Sequence, residues 1–222
     1  MVIAIDGPAG SGKSTIAQLL AEKLKARDGK GYTYINSGNL YRALCLGCLR
    51  KGIPIDDPER VLEYAKQANV EYENSNASEV FLDGENVDSQ LHSDEIDRNV
   101  PTFSAIVPVR HIVNDLIRKI ASDRNAVTEG RDMTTVVFPN AEYRFYLDAS
   151  ADARAMRRFE QGVSKLSLDE IRDAIRKRDE IDKNKAEGSL FLAPGVEYID
   201  TSGLTVQQVY DKLIVRLLTE GS

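Results

Sequence analysis

The 222-residue chain has only two cysteines and two histidines. Cys45 and Cys48 form a CxxC inside the apolar, helix-like stretch Tyr41 to Leu49, with no second cysteine pair nearby. His92 and His111 stand at spacings unlike a zinc site, so metal or redox chemistry at the thiols is not expected and packing is. A run long enough to cross a bilayer is also missing, as are a charged leader and a signal-like apolar core, so a soluble, cytoplasmic protein is expected, with no membrane partner. Positive charge is in deficit, 29 basic against 35 acidic residues for a net charge of -6. That argues against a nucleic-acid partner, although local basic clusters can still hold phosphate. No internal repeat or low-complexity segment is visible, and nothing demands a dimer, so a monomer is expected.

What is present is an ordinary globular composition, 42% hydrophobic, enough to fill a core. Strand-like apolar runs near Val2 to Ile5, Tyr32 to Ile35, Ala126 to Thr128, Tyr143 to Leu147 and Glu197 to Ile199 alternate with helical patterns. The helices are expected over Lys13 to Ala26, Asn39 to Lys51, Pro58 to Ala68, Phe103 to Ser122, Ala151 to Gln161, Leu168 to Glu187 and Val206 to Leu218. This predicts an α/β fold in three layers, α/β/α, around a five-stranded parallel sheet. Val70 to Val87 breaks the alternation with β-prone segments and the tight-turn pair Asp83-Gly84, which predicts a small antiparallel β-rich insert. Such an insert folds over a ligand or merely decorates the surface.

Directly after the first strand comes Gly7-Pro8-Ala9-Gly10-Ser11-Gly12-Lys13-Ser14-Thr15, the GxxxxGKS pattern of a phosphate-binding loop, or P-loop, in its required place between strand and helix. The glycines allow backbone N–H groups to turn toward a phosphate, and the helix start adds its positive dipole end. Lys13 is expected to reach the β- and γ-phosphates, and the Ser14 hydroxyl to hold Mg²⁺.

Three further signals sit where ligands gather, outside the carboxyl ends of strands, or on a charged helix. Asn36 to Arg42 offers Ser37, Tyr41 and Arg42 at a helix start, with Arg42 suited to an acceptor phosphate; capping by Ser37 or Asn39 is the plainer alternative. Thr128 to Met133 places Arg131 and Asp132 at a sheet mouth, to meet a ligand or to pair with each other. On the long charged helix Arg178, Asp182 and Lys185 share one face, either as a phosphate and ribose clamp or as a solvated surface. With Arg154, Arg157 and Arg158 ahead of it, this helix forms an arginine-rich pair joined by the loop around Gly162 to Leu166, which has the character of a helical lid.

Taken together these residues resemble the bacterial cytidylate (CMP/dCMP) kinases of the nucleoside monophosphate kinase group. The resemblance covers nearly the whole chain. It rests on Ile5 to Lys13, Ser37-Gly38 with Tyr41-Arg42, Gly130-Arg131-Asp132-Met133 with Thr135 to Pro139, Phe145 to Ala149, and Arg178-Asp179 with Asp182. It implies transfer of the γ-phosphoryl group of ATP to CMP or dCMP, giving CDP or dCDP, with Mg²⁺ as cofactor. The implied organisation is a core of residues 1–36, 100–150 and 188–222, a substrate-binding region 37–99 with its insert at about 69–91, and a lid at about 151–187.

By motif position, Lys13, Arg131 and Arg178 would be catalytic, and Gly7 to Thr15 with Arg157 and Arg158 would bind ATP. Arg42, Arg131, Arg178 and Lys185 would hold the acceptor phosphate, Asp182 with Arg178 the ribose, and Arg110 with Asp132 the base, beside Ser37, Tyr41 and Thr102. A carboxylate accepting from cytosine's exocyclic amine and an arginine donating to its ring nitrogen and carbonyl are a combination uracil does not match. This sequence departs from the family pattern at Pro101, where many members carry a serine, at Glu129 for an aspartate, and at Lys185 for an arginine, which exchanges a fork of donors for a point charge. It also carries Ser189-Leu190 for a usual Pro-Leu and a shorter lid loop. A kinase of another small acceptor, such as UMP, another monophosphate or a hydroxy acid, shares the loop and lid but has no reason to place Arg110 and Asp132 here. A guanine-reading switch would find only Asn184-Lys185-Ala186-Glu187, in a charged helix rather than after an apolar strand.

Overall fold

The computed structural model describes residues 1–29, 31–74, 78–162 and 166–219. Its elements run β1 (Val2–Asp6), α1 (Lys13–Asp28), β2 (Tyr32–Asn36), α2 (Ser37–Arg50), α3 (Pro58–Gln67), β3 (Val70–Asn74), β4 (Ser78–Leu82), β5 (Glu85–Asn86), α4 (Asp94–Phe103), α5 (Val107–Ala121), β6 (Asn125–Gly130), β7 (Tyr143–Asp148), α6 (Ala151–Glu160), α7 (Leu168–Lys183), β8 (Glu197–Asp200) and α8 (Val206–Thr219). The expected five-stranded parallel sheet is present, in the order β2-β6-β1-β7-β8. Among the described residues no helix is long and apolar enough to cross a membrane.

The chain divides into two compact units, Met1–Tyr32 with Asn125–Ser222, and Thr33–Arg124. In the first, β1 lies parallel between β6 and β7, with Asp6 opposite Gly130 and Tyr146. β8 adds to β7 with Leu147 opposite Ile199. Ile3, Ile5, Val127, Phe145 and Leu147 are buried, as strands covered on both faces require. The carboxyl ends of β1, β6 and β7 therefore stand side by side, and the chain leaves each of them into a segment singled out by sequence.

The second unit carries the antiparallel insert. β3 pairs with β4 and β4 with β5, and Leu82 opposes Glu85 across the turn. Asp83 and Gly84 have φ values of 51° and 84°, the two positive angles that this hairpin turn demands. Cys45 and Cys48 are free, buried thiols on α2, and burial pushes them up to about 12 and about 11, which makes them poor nucleophiles.

Helix boundaries depart from the sequence expectation in three places. The helix expected over Phe103 to Ser122 starts only at Val107, as α5, and an unexpected helix, α4, precedes it and ends at Phe103. Ser93 caps α4 by accepting from the Ile96 N–H, and Asp94, Glu95 and Asp97 fill its first turn, favourable at the positive dipole end. Pro101 lies inside α4, where a proline reads in the sequence as a helix breaker. Second, α2 begins at Ser37 with Asn36 as its cap, not Ser37 or Asn39. Third, α7 stops at Lys183, where Asn184 closes it, so Lys185 lies beyond the helix instead of on the face expected for it. Residues 163–165, at the centre of the loop expected to join the lid helices, lie outside the described residues.

Candidate active site

The P-loop connects β1 to α1, and Lys13, Ser14 and Thr15 form the first turn of that helix. Gly7 cannot be another residue, because a Cβ there would come within 1.9 Å of the Leu147 carbonyl oxygen. Gly12, with φ 92°, supplies the left-handed conformation that turns the chain into α1. The Pro8 carbonyl accepts from within the loop, from Lys13 Nζ at 2.8 Å, whereas the next three accept from outside it, Ala9 from Arg154 at 3.1 Å. Gly10 accepts from Arg157 at 3.4 Å and Ser11 from the Thr201 hydroxyl at 3.0 Å. The buried Ser11 hydroxyl makes no hydrogen bond among the described residues. Arg157 also donates to the Thr201 carbonyl at 2.6 Å, whereas Arg158 is exposed on the same helix.

Around the loop stands a cluster of alternating charge. Burial, with the neighbouring Arg131 cation, pulls Lys13 down to about 7, against the opposing effects of Glu129, Asp6 and Asp182. Ser14 Oγ donates to Glu129 Oε1 at 2.7 Å. Arg131 pairs with Asp182, its Nε donating to Oδ2 at 2.8 Å. Lys185 Nζ donates to the other oxygen of Asp182 at 2.9 Å, and Arg178 Nε lies 3.9 Å from Oδ2. Burial alone would raise the Asp182 carboxyl, but Arg131 and Lys185 outweigh it and hold the group far below the usual carboxylate range. Burial likewise opposes the charge on Arg131, and Asp182 reverses the balance and strengthens it. Thus Arg178 and Lys185, expected on one helical face with Asp182, both come to Asp182, joined by Arg131, with Lys185 arriving from the chain after α7.

Behind this cluster Arg154 ties the two lid-assigned helices together. Its guanidinium grips Asp179 of α7 through two bonds of 3.0 and 2.6 Å and donates to the Ala149 carbonyl. Asp132 is buried, and its side chain makes no capping hydrogen bond to the short π-helix Met133–Val137 that follows it.

The second unit holds the remaining candidates. Ser37 and Tyr41 are buried on α2, and Arg110 is 2% exposed on the first turns of α5. The Arg110 guanidinium donates to the Ser104 carbonyl at 2.9 Å and sits 5.5 Å from the Tyr41 ring centre. Arg42 donates to Asp97 at 2.5 Å and to the Leu91 carbonyl at 2.8 Å, and Thr102 is exposed near the end of α4. Sequence reasoning leaves Asp6, Thr201 and Asp97 unassigned, although each holds a site segment or side chain through a long-range hydrogen bond.

A sequence profile of the family described as cytidylate kinase matches residues 3–219. The chain belongs to this family. It is 39% identical to the cytidylate kinase of Caldanaerobacter subterraneus subsp. tengcongensis over 99% of this chain and 96% of that one. It is 42% identical to cytidylate kinase 1 of Borreliella afzelii, over 91% and 90% of the two chains. With the cytidylate kinase of Clostridioides difficile it shares 34% identity over 98% of each. Family membership thus spans both compact units and every candidate residue named above.

Proposed function

We propose that the protein is an ATP-dependent nucleoside monophosphate kinase that transfers the γ-phosphoryl group to CMP or dCMP. The observation that carries this reading is the Arg131–Asp182–Lys185 cluster beside a complete P-loop, in a chain of the cytidylate kinase family. The Ala9, Gly10 and Ser11 carbonyls bond outward and the Ser11 N–H is taken by the Pro8 carbonyl, which leaves the other N–H groups at the loop's end and the orphaned Ser11 hydroxyl for phosphate oxygens. Anionic phosphates raise the pKa of Lys13 again, so the lysine binds as a cation.

The acceptor is itself a phosphate oxygen, ionised near neutral pH, so no general base is needed. What the chain must supply is in-line placement and neutralisation of the equatorial charge. Lys13, Arg131 and Arg178 take that role, with Arg42 and Lys185 on the acceptor phosphate and Asp182 on the ribose hydroxyls. Asp132 accepts from the amine of cytosine, and Arg110 donates to its ring nitrogen and carbonyl. α6 and α7 act as the lid, with Arg157 and Arg158 on ATP.

The paired Ser14 hydroxyl and Glu129 carboxylate are hard oxygen donors and would hold Mg²⁺. Magnesium bound there would neutralise charge on the β- and γ-phosphates.

The test is ADP release with ATP and Mg²⁺, offering CMP, dCMP, UMP, AMP, GMP, dTMP and shikimate in parallel. Fast turnover confined to CMP and dCMP is expected. Arg131→Ala and Arg178→Ala should each lower turnover about 10³-fold or more while the proteins stay folded. Activity with another acceptor only, or near-normal turnover in both variants, refutes the reading.

A further inference from the structure

Asp6 is fully buried at the end of β1, and a carboxylate there requires partners that compensate for lost water. It has three. Oδ1 accepts from the Met133 N–H at 2.8 Å. Oδ2 accepts from the Thr134 N–H at 2.7 Å and from the Thr134 hydroxyl at 2.6 Å. All three donors belong to the first turn of the π-helix, a rare conformation that recurs at functional sites. The same Asp6 lies opposite Gly130 in the β1–β6 ladder. The chain is therefore held at Gly130 by the sheet and at Met133–Thr134 by the Asp6 side chain. Only Arg131 and Asp132 lie between these two anchors.

We infer that Asp6 is the positioning residue that fixes the direction of Arg131 and Asp132, and through them the grip on the nucleoside monophosphate and the choice of its base. The inference rests on the functional reading above, which gives Arg131 to the acceptor phosphate and Asp132 to cytosine. Chemistry explains why a carboxylate stands here. Both of its oxygens accept, so it can take two successive N–H groups and a hydroxyl at once. Asparagine has the same shape but must turn an NH₂ against one of the backbone N–H groups, which leaves a buried donor unmet and loosens the turn. Thr134 contributes separately, since the residue is 1% exposed and its hydroxyl gives the shortest of the three bonds.

Asp6→Asn, Thr134→Val and Thr134→Ser are compared with the unaltered protein in steady-state assays of both substrates. Asp6 directly precedes the P-loop, so Thr134→Val is the cleaner variant, and it decides the question if Asp6→Asn does not fold. Misplacement of about an ångström lowers kcat/KM for CMP by roughly 10²-fold in Asp6→Asn, with a smaller loss in Thr134→Val. KM for ATP stays within about twofold in Thr134→Val, which keeps the Asp6 charge beside Lys13 and leaves the donor's contacts untouched. The preference for CMP over UMP narrows, and Thr134→Ser, which keeps the hydroxyl, restores both constants. A merely structural role for Asp6 would lower melting temperature, or depress ATP and CMP constants alike, with no change in base preference. That result, or unchanged CMP constants in both Asp6→Asn and Thr134→Val, overturns the inference while leaving a CMP kinase standing. An unaltered protein that phosphorylates neither CMP nor dCMP instead removes the functional reading on which it rests.

Discussion

Lys13 is a cation buried before any phosphate has arrived. Burial and Arg131 bring it to about 7 from an unfolded value of 10.5, so between those values the unfolded chain binds more protons than the native one. Native stability accordingly rises with pH across the window from about 7 to about 10.5. Lys13→Met removes the buried ammonium, and we expect a protein more stable than the original at pH 7, without that rise, and without turnover. Melting curves from pH 6 to 9 check this; an equally steep rise in Lys13→Met would show that another group titrates. Lys13 is legible from the GxxxxGK spacing because its whole context is local. Asp6 is not, because its partners Met133 and Thr134 are more than a hundred residues away and nothing in the local pattern announces them.

The helices show what periodicity can and cannot deliver. α3, α6 and α8 match their expected spans within about two residues, because each has a regular apolar face and a readable start. α4 escapes because Pro101 interrupts its pattern, and the end of α7 is overrun because charged residues continue past the Asn184 cap. Pairing between elements is harder still. Arg154 and Asp179 are both visible as charges, yet only the fold reveals a bidentate pair with side chains 4% and 14% exposed that locks α6 onto α7. Removing one member of such a pair strands the other, so Asp179→Ala should cost about 3 kcal/mol in chemical denaturation. Arg154→Met with Asp179→Leu should recover most of the loss in stability but not the activity, because Arg154 also binds the Ala9 carbonyl of the P-loop. A loss below about 0.5 kcal/mol in Asp179→Ala would mean the pair behaves as a solvated surface bridge.

At the scale of the molecule, a chain of net charge -6 has to bind two polyanions. Overall charge is no guide here, because affinity depends on potential focused locally, and Lys13, Arg131, Arg178 and Lys185 all stand in the first compact unit, the last three around the Asp182 carboxylate. Ligand binding to the native state alone raises stability by about 2.7 kcal/mol at a hundred times Kd. For a domain of this size that corresponds to a melting shift of roughly 5–10 °C. CMP and dCMP should therefore raise the melting temperature well above the effect of equal UMP, and ATP should raise it independently. In Asp132→Ala, on the proposed reading, the advantage of CMP over UMP should disappear while the ATP shift persists, because that carboxylate is assigned to the amine that uracil lacks and is given no part in holding the donor. Equal shifts for CMP and UMP in the unaltered protein would move discrimination out of binding and into the catalytic step, where the ratio of kcat values would have to carry it.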